Sequence, residues 1–148
     1  MKKCNVLVTG GFGFIGSNFI KYLYENFGQS NIINLDNLTY AANEENLLGV
    51  PKSFYSNVDG DICDKKLIRK LFLKFNFDFV INFAAESHVD RSIDDPSLFI
   101  KTNIFGTYTL LDESLRYVKN KDNHQFKFIH ISTDEVYGSL DENEYFYE

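Results

Sequence analysis

Apolar residues come in short unbroken runs separated by stretches of helical spacing. Residues 4–9 (CNVLVT), Asn31–Asp36 (NIINLD), 53–58, 78–84 (DFVINFA) and 126–132 are five runs of strand length. Within Phe14–Asn26, Phe14, Ile15, Phe19, Tyr22 and Leu23, with Asn18 among them, recur at helical spacing. Leu67, Ile68, Leu71, Phe72 and Phe75 form the stripe of a second helix over 64–75, with Asp64 at its N-cap. Pro96 suits the first turn of a long helix running towards Lys121, capped by Asp94 or Asp95. Residues 37–48 are polar and irregular, with one short helical turn near 44–48. Strands that are continuously apolar belong to a parallel sheet covered on both faces. Right-handed crossovers then leave few arrangements. The expected fold is α/β: a Rossmann-type, doubly wound parallel sheet of five strands in the order 3-2-1-4-5, with helices on both faces. It is read as one domain over 1–148, without internal repeat, low-complexity segment or linker.

The first strand ends in TGGFGFIGS. Gly10, Gly13 and Gly16 satisfy G-x-x-G-x-x-G, and Gly11, Gly13 and Gly16 satisfy the narrower G-x-G-x-x-G. One glycine makes the tight turn, the next lets backbone approach a pyrophosphate, and the last lets the helix pack close to the sheet. The motif follows a strand and opens a helix, which is the context that gives it meaning. Asp36 ends the second strand 20 residues after Gly16, where an acid meets the ribose hydroxyls of NAD. It repels a 2′-phosphate, and no Arg or Lys follows to receive one, so NAD is expected rather than NADP. The competing reading is a purely structural turn with Asp36 capping a loop.

Asp61 and Ile62 follow the third strand in GDICD. They read either as neighbours of an adenine ring or as an ordinary turn into the Asp64 cap. The fourth strand ends in NFAAESHVDRS. Small Ala84 and Ala85 there admit a flat ligand at the edge where open α/β sheets bind, and Ser87, Asp90 and Arg91 stand where a polar substrate would meet them. His88 is more simply a structural hydrogen-bond partner. Ser87 and His88 are adjacent and there is no G-x-S-x-G elbow, so a hydrolase triad is absent. No metal-ligand spacing occurs, and no metal is expected. Thr133, Asp134 and Glu135 crowd together where the fifth strand ends. Alone, such a string caps a helix or turn. At a strand end in a sheet with a dinucleotide loop, it reads as chemistry.

Composition narrows the partners. The net charge of −6 argues against nucleic acid. Backbone N–H groups can still hold an anionic small ligand. Cys4 and Cys63 form no C-x-x-C pair, so neither a disulfide framework nor a zinc site is expected. Met1-Lys2-Lys3 runs straight into the first strand rather than into a signal segment. No apolar run approaches the roughly 18 residues that span a membrane. A soluble cytoplasmic protein is the expectation.

With TGGFGFIGS, DNLTYAANEENL, NFAAESHVDRSI, TNIFGTYTLL and STDEVYG in that order, the chain resembles the extended short-chain dehydrogenase/reductase family over essentially all 148 residues. The glycine loop is shared by the whole superfamily. AAESHVDRSI and TDEVYG are more specific and point to its nucleotide-sugar 4,6-dehydratases. The resemblance implies NAD contacts at Gly10, Gly13, Phe14, Ile15, Gly16, Asp36, Asn37, Leu38, Thr39, Asp61, Ile62, Phe83, Ala84, Ala85, Glu86, Ser87 and Thr102. It implies substrate contacts at Ser87 and Thr133, and a supporting role for Asn103. It departs from the family at Asn82-Phe83, often His-Leu, and at Asn37, often basic.

The implied reaction is an internal redox elimination on a nucleotide sugar, dTDP-glucose, in deoxysugar (rhamnose-type) biosynthesis. Oxidation at C4 makes the C5 proton acidic. Glu135 would remove it, Asp134 would protonate the leaving C6 hydroxyl, and Thr133 would hydrogen-bond the C4 oxygen. Close carboxylates push each other's pKa values apart, so one can stay protonated beside an ionised neighbour. Adjacent residues on a strand point to opposite sides, so the backbone is expected to leave strand geometry here. The family's Tyr-x-x-x-Lys pair follows this segment. Tyr117 and Lys121 have the spacing but precede the fifth strand, so they are rejected. The pair, a sixth strand and the substrate-binding region are expected beyond Glu148, making the chain an N-terminal fragment, inactive alone. The family's homodimer implies exposed apolar surface on the helix over 99–115 and along the fifth strand. Two alternatives stay open: another NDP-sugar dehydratase or an epimerase of the family, and a non-enzymatic NAD-binding module.

Overall fold

A computed structural model describes residues 4–28, 30–121, 125–140 and 144–147. Met1-Lys2-Lys3 lies outside the described residues. The five strands are β1 (Asn5–Thr9), β2 (Asn31–Asp36), β3 (Tyr55–Asp59), β4 (Phe79–Asn82) and β5 (Lys127–His130). All neighbouring pairs are parallel, in the order 3-2-1-4-5. The strands are shorter than the apolar runs at several ends, and β3 starts two residues later than its run and reaches Asp59.

Unbroken apolar strands pay off on two faces at once. On β1, Leu7 joins one cluster with Ile68, Leu71, Phe72, Leu110 and Tyr117. Its neighbours Val6 and Val8 join the other, with Phe12, Ile20, Leu47 and Phe54. Successive side chains of a strand point to opposite sides, so both faces need covering. Helices α1 (Phe14–Asn26) and α2 (Lys65–Phe75) carry parts of that cover. Asp64 caps α2 as expected, accepting from the Lys66 and Leu67 amides at 2.9 and 3.1 Å. On α1 the buried residues are Gly16, Ser17 and Ile20. Phe14 and Ile15 are 81% and 60% exposed, so they are no part of the inward stripe.

The long helix departs from expectation. A short α3 (Val89–Asp94) precedes it. It then runs as α4 (Pro96–Phe99), a π-helical segment (Ile100–Gly106) and α5 (Thr107–Lys121). Asp95, of the two candidates, is the cap, accepting from the Ser97 amide at 3.1 Å. On α5, Glu113 is only 3% exposed and is held by two Arg69 N–H groups at 2.8 and 3.0 Å, tying α5 to α2. The outer face of this helix exposes Ile104, Phe105, Tyr108, Leu111 and Leu115, and β5 exposes Ile129, as anticipated.

Candidate cofactor and reaction site

β1 delivers the chain into the glycine loop. Gly10 has φ +68°, and a Cβ there would lie 2.9 Å from the Ala84 nitrogen. A Cβ on Gly16 would lie 2.3 Å from the Gly10 oxygen, so α1 packs against the loop with no room for a side chain. Gly13 opens α1, and among the described residues no side chain caps it and no acid sits in its first turn. The first amides of a helix lack partners within it and carry the positive end of its dipole. Left uncapped behind a glycine turn, they fit the pyrophosphate of a dinucleotide.

Residues that sequence reasoning passed over hold this loop. Buried Asn34 accepts from the Gly11 amide at 2.9 Å. Asn46 donates to the Phe12 carbonyl at 2.9 Å, fastening the 43–47 turn to the loop. Asp36 accepts from the amides of Phe12 at 2.9 Å and Leu38 at 3.0 Å and is only 7% exposed. Leu38 takes φ +49°, a left-handed conformation uncommon outside glycine. Nothing in the run of polar residues 37–43 announces such a turn. Asparagine amides inside a parallel sheet look like flaws in an apolar pattern until their partners are seen.

The strand C-termini enclose a solvent-open cleft of about 110 Å³. It is lined by Gly10, Gly13, Leu35, Asp36, Asn37, Thr39, Ala41, Ala42, Gly60, Asp61, Ile62, Phe83, Ala84, Ala85, Glu86 and Thr102. Most of the expected cofactor residues thus share one concavity. Leu35, Ala41, Ala42 and Gly60 were not foreseen. Of the remaining expected residues, Phe14, Ile15, Leu38 and Ser87 are exposed outside the lining, and Gly16 is buried at the start of α1.

The π-helical segment forms one wall. Asn103 accepts from the Glu86 amide and donates to the Glu86 carbonyl, both at 2.8 Å, which fixes the loop after β4. Lys101 reaches Asp61 at 3.1 Å. Burial pushes the Asp61 carboxyl up, but the Cys63 amide and thiol and the Lys101 ammonium outweigh it and hold the group below the usual range. The Cys63 thiol is pushed up to about 11, first by burial and then by Asp61. It donates to the Lys101 carbonyl at 3.2 Å. Asp61 is therefore both the turn residue and part of the cleft wall, so the two readings of GDICD are not exclusive.

β4 and β5 leave the sheet side by side, and the Ile131 amide still bonds the Asn82 carbonyl at 3.1 Å. A polar chain crosses here: the Ala84 amide donates to the Thr9 hydroxyl, that hydroxyl donates to Asn82, and the Asn82 amide meets His130 Nδ1 at 3.0 Å. Asn82 is thus the bridge between β1, β4 and β5. Beyond His130, Asp134–Tyr137 forms one 3₁₀ turn, the departure from strand geometry that two adjacent carboxylates required. Thr133, Asp134 and Glu135 are all exposed. The Thr133 hydroxyl holds the Glu135 carboxyl below its usual range, helped by its own backbone amide and the Asp134 side chain. Tyr117 donates to the Phe77 carbonyl at 3.0 Å, and Lys121 meets Asn76. Both contacts lie before β4 begins, at the opposite edge of the sheet from the cleft, as their rejection required. Among the described residues no group of three or more His, Cys, Asp or Glu is gathered for a metal, and no helix is long and apolar enough to cross a membrane.

A doubly wound sheet with an uncapped glycine turn facing an acid at the next strand end defines a dinucleotide-binding domain of the extended short-chain dehydrogenase/reductase kind. More narrowly, the chain belongs to the GDP-mannose 4,6 dehydratase family, whose model matches residues 7–148. It is 50% identical over 142 residues to the dTDP-glucose 4,6-dehydratase of Haemophilus influenzae, covering 92% of this chain and 41% of that protein. The dTDP-glucose 4,6-dehydratase of Bacillus anthracis, solved in complex with NAD, superposes with a TM-score of 0.82 at 38% identity, over 98% of this chain and 42% of that one. The Thermus thermophilus UDP-glucose 4-epimerase in complex with NAD follows at 0.80 and 32% identity, over 97% of this chain and 42% of that one. The chain spans about two fifths of the length of the curated relatives it matches.

Proposed function

We propose that this chain is the NAD-binding part of a dTDP-glucose 4,6-dehydratase. The observation that carries the reading is the pairing of β4 with β5, which brings the Thr133-Asp134-Glu135 turn out beside the cleft-lining loop after β4. NAD fits the cleft through the free amides at the start of α1, through Asp36 toward the ribose, and through Asp61 and Ile62 toward the adenine. Phe14, Ile15, Gly16, Asn37 to Thr39, Phe83 to Ser87 and Thr102 complete its surroundings. When bound, NAD supplies the hydride acceptor at C4 and the hydride donor at C6. Thr133 donates to the C4 oxygen, and Ser87 meets the same sugar. Glu135, whose ionised form the Thr133 hydroxyl favours, takes the proton from C5 and gives one back to C5 once C6 has received its hydride. Asp134 gives a proton to the C6 oxygen, which leaves as water. The net change is loss of one water. The C4 hydroxyl proton passes, on this reading, to the family's Tyr-x-x-x-Lys pair, for which Tyr117 and Lys121 stand at the wrong end of the sheet.

The acid pair Asp134-Glu135 favours the dehydratase over an epimerase, which needs neither an acid at C6 nor a base at C5. A homodimer closed over the Ile104–Leu115 face belongs to the same reading, supported by that apolar face, as does a cytoplasmic location. The test is direct. The protein as its gene encodes it, given NAD and dTDP-glucose, forms the 4-keto-6-deoxy sugar nucleotide with solvent deuterium at C5. A folded, NAD-loaded protein that leaves dTDP-glucose unchanged overturns the dehydratase reading.

A further inference from the structure

Two loops form opposite lips of the cleft: residues 37–42 after β2 and residues 83–88 after β4. Tyr40 reaches from the first lip to the second, its hydroxyl donating to Glu86 Oε2 at 3.3 Å. Arg91, on α3, lays its guanidinium over the Tyr40 ring at 3.7 Å from the centroid. The His88 ring stands edge-on to Tyr40 at 6.4 Å. These contacts use three types of interaction on one ring: a charge-assisted hydrogen bond, a cation–π stack and an aromatic edge. Both lips are otherwise fixed from behind. Asp36 holds the Leu38 amide, and Asn103 holds Glu86 by both backbone groups. The ring of Tyr40 is 51% exposed, so core packing does not account for its placement. What it does is join the lips.

We propose that Tyr40 and Arg91 form a clasp that closes over the bound dinucleotide and slows its release. This rests on the NAD reading of the cleft. A cofactor that is reduced and reoxidised within one turnover has no need to leave, so its site gains by holding it. Interactions made across a closed mouth act chiefly on dissociation, since the entry path forms before they do. Glu86 belongs to the lining and accepts the bond. Tyr40 and Arg91 hold one another and the lips together, and are positioning residues.

The experiment is the rate of NAD loss from the whole protein, followed by displacement with excess unlabelled cofactor. Tyr40→Ala, which removes every contact, should speed dissociation about tenfold or more, with association within about twofold. Arg91→Ala and Tyr40→Phe should each give a smaller increase of about threefold, and Arg91→Lys should fall nearer to the parent because a cation remains. Circular dichroism and thermal unfolding confirm that the exposed substitutions leave the fold intact. NAD that leaves Tyr40→Ala and the parent at equal rates overturns the clasp and leaves the cofactor reading standing. A folded parent that binds no NAD sinks both.

Discussion

The cleft's glycine wall and the Thr133-Asp134-Glu135 turn are built in opposite ways. In the wall, the polar side chains are spoken for, while the amides that open α1 stay uncapped. Asp36 is buried with both oxygens engaged, Gly11 is held by Asn34, and the 43–47 turn is fastened to Phe12. At the turn, Thr133, Asp134 and Glu135 stand exposed, and their main restraints are one another and one 3₁₀ turn. Binding groups that recognise an invariant cofactor are set by the fold's own hydrogen bonds. Groups proposed to move protons are left in solvent.

Substitutions sharpen that contrast. Gly16→Ala should have the largest effect, because its methyl meets the Gly10 oxygen at 2.3 Å. Overpacking of that kind is worth about 1–3 kcal/mol or more in stability, seen as a fall in thermal midpoint and as loss of NAD binding by calorimetry. A stable Gly16→Ala protein that keeps NAD would show the wall to be looser than drawn. Asp36→Ala comes next. It strands the buried Phe12 amide and frees Leu38, destabilising by about 1–3 kcal/mol in urea unfolding, with weakened NAD binding in parallel. Glu135→Gln should change stability by less than about 0.5 kcal/mol, as exposed substitutions do. In the protein as its gene encodes it, the dehydratase reading has this change abolish deuterium incorporation at C5, and unchanged incorporation removes the role proposed for Glu135.

The smallest effect is a titration. Glu135 sits below the ordinary carboxylate value of 4.5, chiefly through the Thr133 hydroxyl. Its ionised form is therefore present above that lowered value and is lost as pH falls through it. Thr133→Val removes the donor, so the carboxyl should titrate at a higher pH, nearer 4.5, in carbon-detected NMR. No movement would mean that the neighbouring amide and Asp134 set the group without help.

Much of the architecture was legible because it rests on periodicity and on caps. Five apolar runs, the Asp64 cap and the glycine spacing lead to the parallel sheet and its order through burial on both faces. The candidate site was legible where spacing ties a residue to the glycine loop, as with Gly10 and Asp36, which both line the cleft. It was illegible where a side chain's meaning depends on a distant backbone group. Asn34 reads as an interruption of β2, yet its amide holds Gly11. Asn82 reads as a local replacement, yet it links Thr9 to His130. Phe14 and Ile15 fit a helical stripe by spacing, but the turn before them presents that part of α1 outward. The π-helical segment leaves no mark in hydropathy, since one altered turn is too brief to shift a period.

That segment has a consequence for insertions and deletions. An α-helix advances about 100° per residue, and a π turn takes in one residue more than an α turn. Ile100–Gly106 therefore takes in one residue more than an α-helix would between α4 and α5. Remove a single residue from it and the helix can run straight with both halves near their present angles, so Glu113 stays within reach of Arg69. A one-codon deletion here should harm the protein less than the same deletion inside α5, where everything beyond the cut would turn by about 100°.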